Sequence, residues 1–233
     1  MTQDTADKAI REKALKIHEL LINEYGERDN RQDRDPIATL VNTILSQNTN
    51  DHNRDIAYTQ LRDRFPTWPE VRDAEEADVA EAIRPAGLAP TKAPRIQSAL
   101  HAISGDQGKL SLDFLQDMRL KEARNWLLDL NGVGPKTAAI VLLFALDRPA
   151  FPVDTHVHRV TQRLGLIPQG TSREKAHDLL EDLLPEEHYF TFHLNIIEHG
   201  RTVCKARTPR CEICVLQDLC RYYRGQVSGE DRS

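Results

Sequence analysis

The cysteines of this chain constrain its fold more than any other feature of the sequence. All four lie in one stretch, Cys204-x6-Cys211-x2-Cys214-x5-Cys220, and no other position carries cysteine. Four thiolates spaced this closely suit an iron–sulfur cluster, and a compact metal site can hold a segment that has little core of its own. The sequence therefore predicts that a [4Fe–4S] cluster organises residues 204–220.

Other uses of these cysteines match the spacing less well. Zinc ribbons usually have two close cysteine pairs separated by a longer loop, so zinc is kept only as the alternative metal. Disulfides are expected outside the cell, whereas the stretch from Met1 to Lys8 is polar and lacks the apolar block of a signal peptide. No apolar run approaches the roughly 18 residues of a membrane span. We therefore expect an intracellular protein without a targeting signal.

Helical patterns run through nearly the whole chain. Apolar residues recur at helical spacing from Ile10 to Leu21, and a second such series follows Pro36. The segment from Ala138 to Leu146 is apolar at every position, which suits a helix buried on all sides. Because no stretch shows a convincing strand pattern, the predicted fold class is all-α.

The charge of the chain is unevenly distributed. A formal net charge of −5 taken alone argues against a nucleic-acid partner. Between residues 201 and 224, however, the acidic residues are only Glu212 and Asp218, against the basic residues Arg201, Lys205, Arg207, Arg210, Arg221 and Arg224. This basic stretch fits a phosphate contact, although charge runs more often form a solvated helix face.

The stretch LNGVGPKTA, residues 130–138, joins two helical segments through a turn containing Gly132 and Gly134. Pro135 follows where the first turn of a helix tolerates proline. Glycines let the backbone bend and let a phosphate approach, and the unpaired N–H groups at a helix start attract anions. This pattern indicates a helix-hairpin-helix that can hold a DNA backbone without reading its sequence. An ordinary helical hairpin with a glycine turn is the alternative.

Lys136 lies at the start of the apolar helix. Partial burial and the helix dipole would both disfavour the ammonium form there, and a partly neutral lysine is a nucleophile. We interpret Lys136 as a candidate nucleophile, with a plain phosphate contact as the alternative.

Asp154 precedes another helical pattern, where aspartate is an expected N-cap. The apolar helix after Lys136 is only about three turns long, so a returning loop could bring Asp154 back beside its start. Catalysis and capping are both open for this carboxylate. His156 and His158 are two residues apart, which does not place them on one helix face, so we favour structural or DNA contacts over a metal pair. Arg159 could contact phosphate or pair with a carboxylate.

Three features together resemble the endonuclease III branch of the helix-hairpin-helix DNA glycosylases. They are LNGVGPKTA with Lys136, VDTHVHR with Asp154 eighteen residues later, and the C-x6-C-x2-C-x5-C segment. Residues 44–49 and 87–93 resemble two DNA-facing loops of that family more loosely, so the likeness spans most of the chain.

The resemblance implies a two-lobed, all-α helix-hairpin-helix DNA glycosylase fold. Residues 36–148 would form a six-helix barrel domain, and residues 1–35 with 149–224 would form a [4Fe–4S] cluster domain from both chain ends. The active cleft would lie between them. We expect residues 225–233 to be a disordered tail.

The resemblance also implies a bifunctional DNA glycosylase and abasic-site lyase that removes oxidised pyrimidines. Lys136 would attack C1′ of a flipped nucleotide, expel the base and form a Schiff base, and β-elimination would then cut the strand 3′ to the lesion. Asp154 would help deprotonate the lysine or stabilise positive charge on the sugar. The expected partner is double-stranded DNA with damaged bases or abasic sites. We expect a cytoplasmic, nucleoid-associated monomer with no membrane partner.

One loop departs from the family pattern. At Ser46-Gln47-Asn48-Thr49 the typical enzyme has alanine and glutamine in a slightly different order, so either Gln47 or Asn48 is expected to fill the gap left by the flipped base. The candidate DNA-binding residues are Gln47, Asn48, Gly132, Gly134, Lys136, Lys205, Arg207 and Arg210.

Two rival functions stay open. The first is a monofunctional glycosylase acting on mismatches, uracil or adenine, although the related adenine glycosylases usually lack a lysine at the position of Lys136. The second is a non-catalytic DNA-binding iron–sulfur protein, which would have no use for Lys136 and Asp154 together. The sequence does not rank individual lesions, because pocket shape decides among them.

Overall fold

The computed structural model describes residues 3–29, 34–107 and 109–228. These residues form helices joined by turns and loops, and none of them forms a strand. The predicted all-α class is therefore confirmed. The chain divides into two compact units, a terminal unit made of Met1–Gln32 and Pro149–Ser233 and a central unit made of Asp33–Arg148.

The α-helices are numbered in chain order. They are α1 Gln3–Tyr25, α2 Pro36–Leu45, α3 Asp51–Arg64, α4 Trp68–Asp73, α5 Glu76–Ala82, α6 Ala89–Gln107, α7 Leu120–Leu128, α8 Pro135–Ala145, α9 Thr155–Leu164, α10 Arg173–Glu181, α11 Tyr189–Thr202 and α12 Arg221–Ser228. Short 3-10 turns lie at Arg84–Ala86, Asp113–Gln116, Glu186–His188, Cys211–Ile213 and Gln217–Leu219.

The central unit is built around α8, which packs mainly against α2. Seven of the eleven residues of α8 are buried, as expected for its apolar sequence. Helix α2 begins where the Asp35 carboxylate accepts the backbone N–H of Ile37 at 2.9 Å, with Pro36 in the first turn. After α8, Arg148 donates to the carbonyl oxygens of Leu115 and Met118. A side-chain cap thus fixes the start of α2, and the apolar sequence of α8 explains its burial.

The terminal unit combines both ends of the chain. Helix α1 packs against α11, and α9 packs against α11 and α12. Between the two ends, the Arg28 guanidinium donates to the Asn195 side chain at 3.0 Å and pairs with Glu198 at 2.8 Å. The predicted division after residue 35 lies three residues beyond the structural division after Gln32.

The structure describes only the first part of the segment that was expected to be a disordered tail. Helix α12 runs to Ser228, so the segment predicted to be disordered from Gly225 begins inside a helix. Residues 229–233 lie outside the described residues. Within the part of the chain that is described, no helix combines the length and the apolar character needed to cross a bilayer.

Candidate functional site

The predicted hairpin is formed by α7, α8 and the turn between them. Gly132 has φ +80°, and a Cβ atom there would lie 2.5 Å from Cδ of Arg95, so this turn requires glycine. Gly134 has φ −102°, and nothing lies within 4 Å of where its Cβ would be. The chain itself therefore gives no steric reason for glycine at residue 134, and the open space is available to a molecule outside the chain.

The start of α8 is open to an anion. Gly134 is the N-cap residue, no side chain caps the helix, and Pro135 occupies the first turn. The unpaired N–H groups of the first turn and the positive end of the helix dipole together favour a bound phosphate. Lys136 follows directly and is half-buried. The structure thus places the candidate nucleophile in the first turn of a helix whose start has no side-chain cap.

The two candidates for the gap left by a flipped base differ in their surroundings. The Gln47 side chain donates to the carbonyl oxygen of Gly132 at 3.0 Å and accepts from Arg95 at 3.4 Å. Asn48 is exposed and has φ +53°. Gln47 is therefore tied to the hairpin, whereas Asn48 faces solvent from a left-handed backbone position.

Two further residues of the central unit lie in the stretch 87–93, which resembles a DNA-facing loop of the family but whose individual residues were given no role from the sequence. Leu88 follows Gly87, is 54% exposed and has φ +53°. Lys92 is 1% exposed and donates from Nζ to the carbonyl oxygens of Leu45 at 2.7 Å and Ala86 at 2.8 Å. Burial lowers the pKa of Lys92. A glycine followed by a large apolar residue between Pro85 and Pro90 was the sequence signal for Leu88, and nothing local marked Lys92 as buried.

Asp154 caps α9 in the terminal unit. Its Oδ1 atom accepts the backbone N–H of Val157 at 2.7 Å, and the residue is half-buried. The preceding backbone is fixed because the Pro152 carbonyl bonds to the buried His193 ring at 2.9 Å. Capping, one of the two roles open for Asp154, is thus observed, and a catalytic role is left to be tested.

The polar residues after Asp154 serve the packing of the terminal unit. The His158 ring bonds to the Thr171 carbonyl at 2.7 Å, whereas the His156 ring lies 3.2 Å from the Arg159 guanidinium. The two histidines therefore have separate partners. Arg159 donates to the carbonyl oxygens of Gly200 at 2.8 Å and Cys204 at 3.0 Å, rather than to a carboxylate. Helix α9 is thereby joined to the first residue of the cysteine segment.

The four cysteines line one cavity. Its volume is about 380 Å³ including its open side. Cys220 is buried and the other three are half-buried. The Arg163 guanidinium donates to Sγ of Cys204 at 3.4 Å, and the His199 ring lies 3.5 Å from Sγ of Cys214. Two of the sulfur atoms therefore already have nitrogen neighbours of the kind found around metal-bound thiolates.

The electrostatics of this cavity fit an iron–sulfur cluster. Burial, and secondarily the neighbouring thiols, raise the pKa of Cys214 to about 11, and the pKa values of Cys211 and Cys220 are raised for the same reasons. Thiolates at these three cysteines would thus be unfavourable without a positive centre. Iron supplies that charge, and it is held by thiolates in such clusters.

The three candidate cations of the cysteine segment are on the surface. Lys205, Arg207 and Arg210 are all exposed. Arg163 donates to the carbonyl oxygens of Lys205 at 2.7 Å and Ala206 at 2.8 Å. Because the same guanidinium packs 4.7 Å from the centre of the Tyr222 ring, the backbone between the first two cysteines is held by a fixed side chain.

Comparisons with known proteins agree in both units. Residues 41–186 match the family described as HhH-GPD superfamily base excision DNA repair protein, and residues 204–220 match the iron-sulfur binding domain of endonuclease III. An endonuclease III from Thermotoga maritima is 36% identical over 204 residues, which cover 88% of this chain and 91% of that protein. An endonuclease III from Sulfolobus acidocaldarius is 33% identical over 196 residues, covering 83% of this chain and 85% of that protein.

A solved structure shares the fold over nearly the full length. It is a trapped endonuclease III–DNA covalent intermediate in an estranged-adenine complex. The TM-score is 0.75 at 27% sequence identity, and the match covers 97% of this chain and 100% of that chain.

Proposed function

Because this chain belongs to the endonuclease III family of helix-hairpin-helix base-excision DNA repair proteins, we propose that Lys136 and Asp154 are its catalytic residues and oxidised pyrimidines its substrates. The protein is a DNA glycosylase and abasic-site lyase. The observation that carries the proposal is the uncapped start of α8, which follows the Gly132 turn and presents Lys136. We propose that it acts as a monomer on nucleoid DNA in the cytoplasm.

The proposed reaction begins with a flipped nucleotide, because the glycosidic bond is not accessible inside the base stack. The neutral amine of Lys136 attacks C1′, the bond from C1′ to the base breaks, and the base leaves with the bonding electrons and takes up a proton. The amine then forms a Schiff base as the sugar ring opens. Its positive charge makes a 2′ proton acidic, and loss of that proton expels the 3′ phosphate. Hydrolysis releases the lysine.

Asp154 is the proposed acidic partner in this reaction. A carboxylate can accept a proton from the lysine or stabilise the positive charge that develops on the sugar. Its capping bond from Val157 supports this role, because capping through Oδ1 fixes the direction of the carboxylate while Oδ2 is not used by the cap. Asp154→Asn keeps a capping oxygen but removes the charge, and we expect it to slow base release far more than it lowers stability.

Duplex DNA is the partner of this family's fold, and we propose how each unit contacts it. The amides after Gly132 and Gly134 bind a phosphate, and Lys205, Arg207 and Arg210 bind further phosphates without reading sequence. Asn48 and Leu88 are the exposed side chains proposed to enter the base stack, and both belong to the central unit. Gln47 is proposed to position the loop, because its amide is already bonded to Gly132.

The cofactor is a [4Fe–4S] cluster, as the cysteine spacing predicted. We propose that Cys204, Cys211, Cys214 and Cys220 hold it. When bound, the cluster supplies structural support to the segment that carries the three exposed cations. The reaction steps above involve side chains of the chain alone.

A lesion panel tests the proposal under single-turnover conditions. Duplexes carry thymine glycol, an oxidised cytosine, uracil, or a mismatched thymine or adenine, and strand cleavage is measured with and without a later alkali step. We expect the oxidised pyrimidines to be removed fastest and the strand to be cut without alkali. Removal of uracil or a mismatched base with cleavage only after alkali would favour the monofunctional glycosylase, and binding without base release would favour the non-catalytic protein.

A further inference from the structure

Lys92 has an unusual environment for a lysine. Its side chain is almost completely buried, and its ammonium group donates to two main-chain carbonyl oxygens, those of Leu45 at 2.7 Å and Ala86 at 2.8 Å. Burying an ammonium group is unfavourable unless hydrogen bonds compensate, and a methionine would fill similar volume without that cost. Packing alone therefore does not account for a lysine at this position.

The two carbonyl groups begin the two loops proposed to enter DNA. Leu45 is the last residue of α2, and Asn48 lies three residues after it. Ala86 ends a 3-10 turn, and Leu88 lies two residues after it. Both Asn48 and Leu88 have φ +53°, a left-handed conformation that residues other than glycine seldom adopt and that is especially unfavourable for leucine. Each strained loop therefore starts at a carbonyl held by the same ammonium group.

The main chain of Lys92 strengthens this connection. Its backbone N–H donates to the Leu88 carbonyl at 2.9 Å, so one residue binds both Ala86 and Leu88. The other loop has a second attachment of its own, because Gln47 is bonded to the Gly132 carbonyl. Displacing either loop would thus strain bonds that also hold the other.

We propose that Lys92 is a positioning residue that makes Asn48 and Leu88 act as one unit when they enter the base stack. This inference rests on the proposed function of the two loops. Insertion of the Leu88 side chain into one strand pushes against the Ala86 carbonyl, and the shared ammonium group keeps the Leu45 carbonyl, and hence Asn48, in register. The binding contributions of Asn48 and Leu88 are then coupled.

A double-mutant cycle measures that coupling directly. Asn48→Ala, Leu88→Ala and the double variant are compared for binding to a duplex that carries a tetrahydrofuran abasic analogue, which cannot form a Schiff base. Fluorescence anisotropy gives Kd for each. With Lys92 present, we expect the affinity loss of the double variant to be at least fivefold smaller than the product of the two single losses. With Lys92→Met, we expect the two losses to multiply to within about twofold.

Gln97→Met is the matched control. Gln97 lies on the same helix α6, is 9% exposed, and donates to the carbonyl oxygens of Val71 at 3.1 Å and Ala74 at 2.8 Å, away from both loops. Like Lys92→Met, it replaces a nearly buried hydrogen-bond donor on α6 with an apolar side chain of similar size, but it should leave the coupling intact. A coupling that survives Lys92→Met, or disappears equally in Gln97→Met, would overturn the proposal.

Two features distinguish failure of this inference from failure of the proposed function. If Asn48→Ala and Leu88→Ala lower the DNA affinity independently in the protein that retains Lys92, the inference is overturned without any Lys92 variant. The test therefore does not depend on how well Lys92→Met folds. Failure of the proposed function would instead be seen as the absence of a borohydride-trapped complex between the unaltered protein and an ordinary abasic site, whatever the coupling.

Discussion

In the central unit the functional loops are held by an apolar helix and by protein hydrogen bonds, whereas in the terminal unit the cysteine segment folds around a cavity lined by its own sulfur atoms. Seven of the eleven residues of α8 are buried. Within residues 204–220 only Leu216 and Cys220 are buried. The two surfaces proposed to contact DNA therefore depend on different sources of stability, the hydrophobic core in one unit and the metal cluster in the other.

The largest effect that separates the units should come from removing a proposed cluster ligand. Cys214→Ala is expected to abolish the broad visible absorbance of the cluster and to expose the backbone amides of residues 204–220 to hydrogen exchange, because metal binding contributes on the order of several kcal/mol to such segments. The amides of α8 should stay protected. Ile213→Ser, at an exposed neighbour, is the matched control. Equal loss of protection in α8 would show that the two units do not have separate sources of stability.

The reverse experiment removes core volume from the central unit. Leu142 is fully buried in α8, so Leu142→Ala should lower the free energy of unfolding by about 3 kcal/mol. Denaturant unfolding monitored by hydrogen exchange would locate the loss in residues 36–148, with the cluster absorbance retained. Bleaching of the cluster at the same denaturant concentration as in the core would show that the two units do not differ as described.

The two glycines of the hairpin should separate stability from DNA binding. Gly132→Ala meets Arg95 and has an unfavourable φ, so we expect a loss of about 1 to 2 kcal/mol in stability. Gly134→Ala meets nothing in the chain, so its cost should be smaller, about 0.5 kcal/mol for alanine at an N-cap position. Its affinity for duplex DNA should nevertheless fall, because the new methyl group lies where a phosphate is proposed to approach. Unchanged affinity in a direct titration would show that the hairpin is not part of the DNA-binding surface.

The smallest predicted effect is an acid sensitivity of the terminal unit. Burial is the main cause that lowers the pKa of His18 to about 4, and the neighbouring His188 is the second. Glu19 acts in the opposite direction. Because this histidine takes up a proton more readily when unfolded, its stabilising contribution is complete above about pH 6.5 and is lost as the pH falls from there through about 4.

Stability measured along that pH range tests the assignment. We expect a loss of roughly 1 kcal/mol from this group after allowing for solvent screening, and His18→Leu should flatten the profile. The hydrogen exchange of α8 should not share the change. A profile identical in His18→Leu would show that other groups cause the acid sensitivity.

Much of the architecture could be predicted because its causes are local. The apolar run of α8, the glycine turn before it and the spacing of the cysteines each depend on neighbouring residues, and each pointed to the observed helix, turn and shared cavity. The N-cap role of Asp154 was foreseen for the same reason.

The contacts that could not be predicted from the sequence involve partners far away in the chain. Lys92 is buried because the Leu45 carbonyl, 47 residues earlier, lies beside it. Arg159 was expected at a phosphate or a carboxylate but bonds to the carbonyl oxygen of Cys204, 45 residues later. Backbone carbonyls have no sequence signature, so a pattern of residue types cannot reveal them as acceptors. Gln47 likewise differs from Asn48 through a distant partner, because its side chain donates to the Gly132 carbonyl, 85 residues later.

Borohydride trapping on a duplex with one abasic site tests whether Lys136 forms the Schiff base, comparing the unaltered protein with Lys136→Ala and with Lys205→Ala as a lysine control. We expect a covalent protein–DNA band for the unaltered protein and, at saturating concentration, for Lys205→Ala, with none for Lys136→Ala. A band of equal strength from folded, cluster-loaded Lys136→Ala would contradict the assignment of the nucleophile, and no band from the unaltered protein would contradict the lyase mechanism.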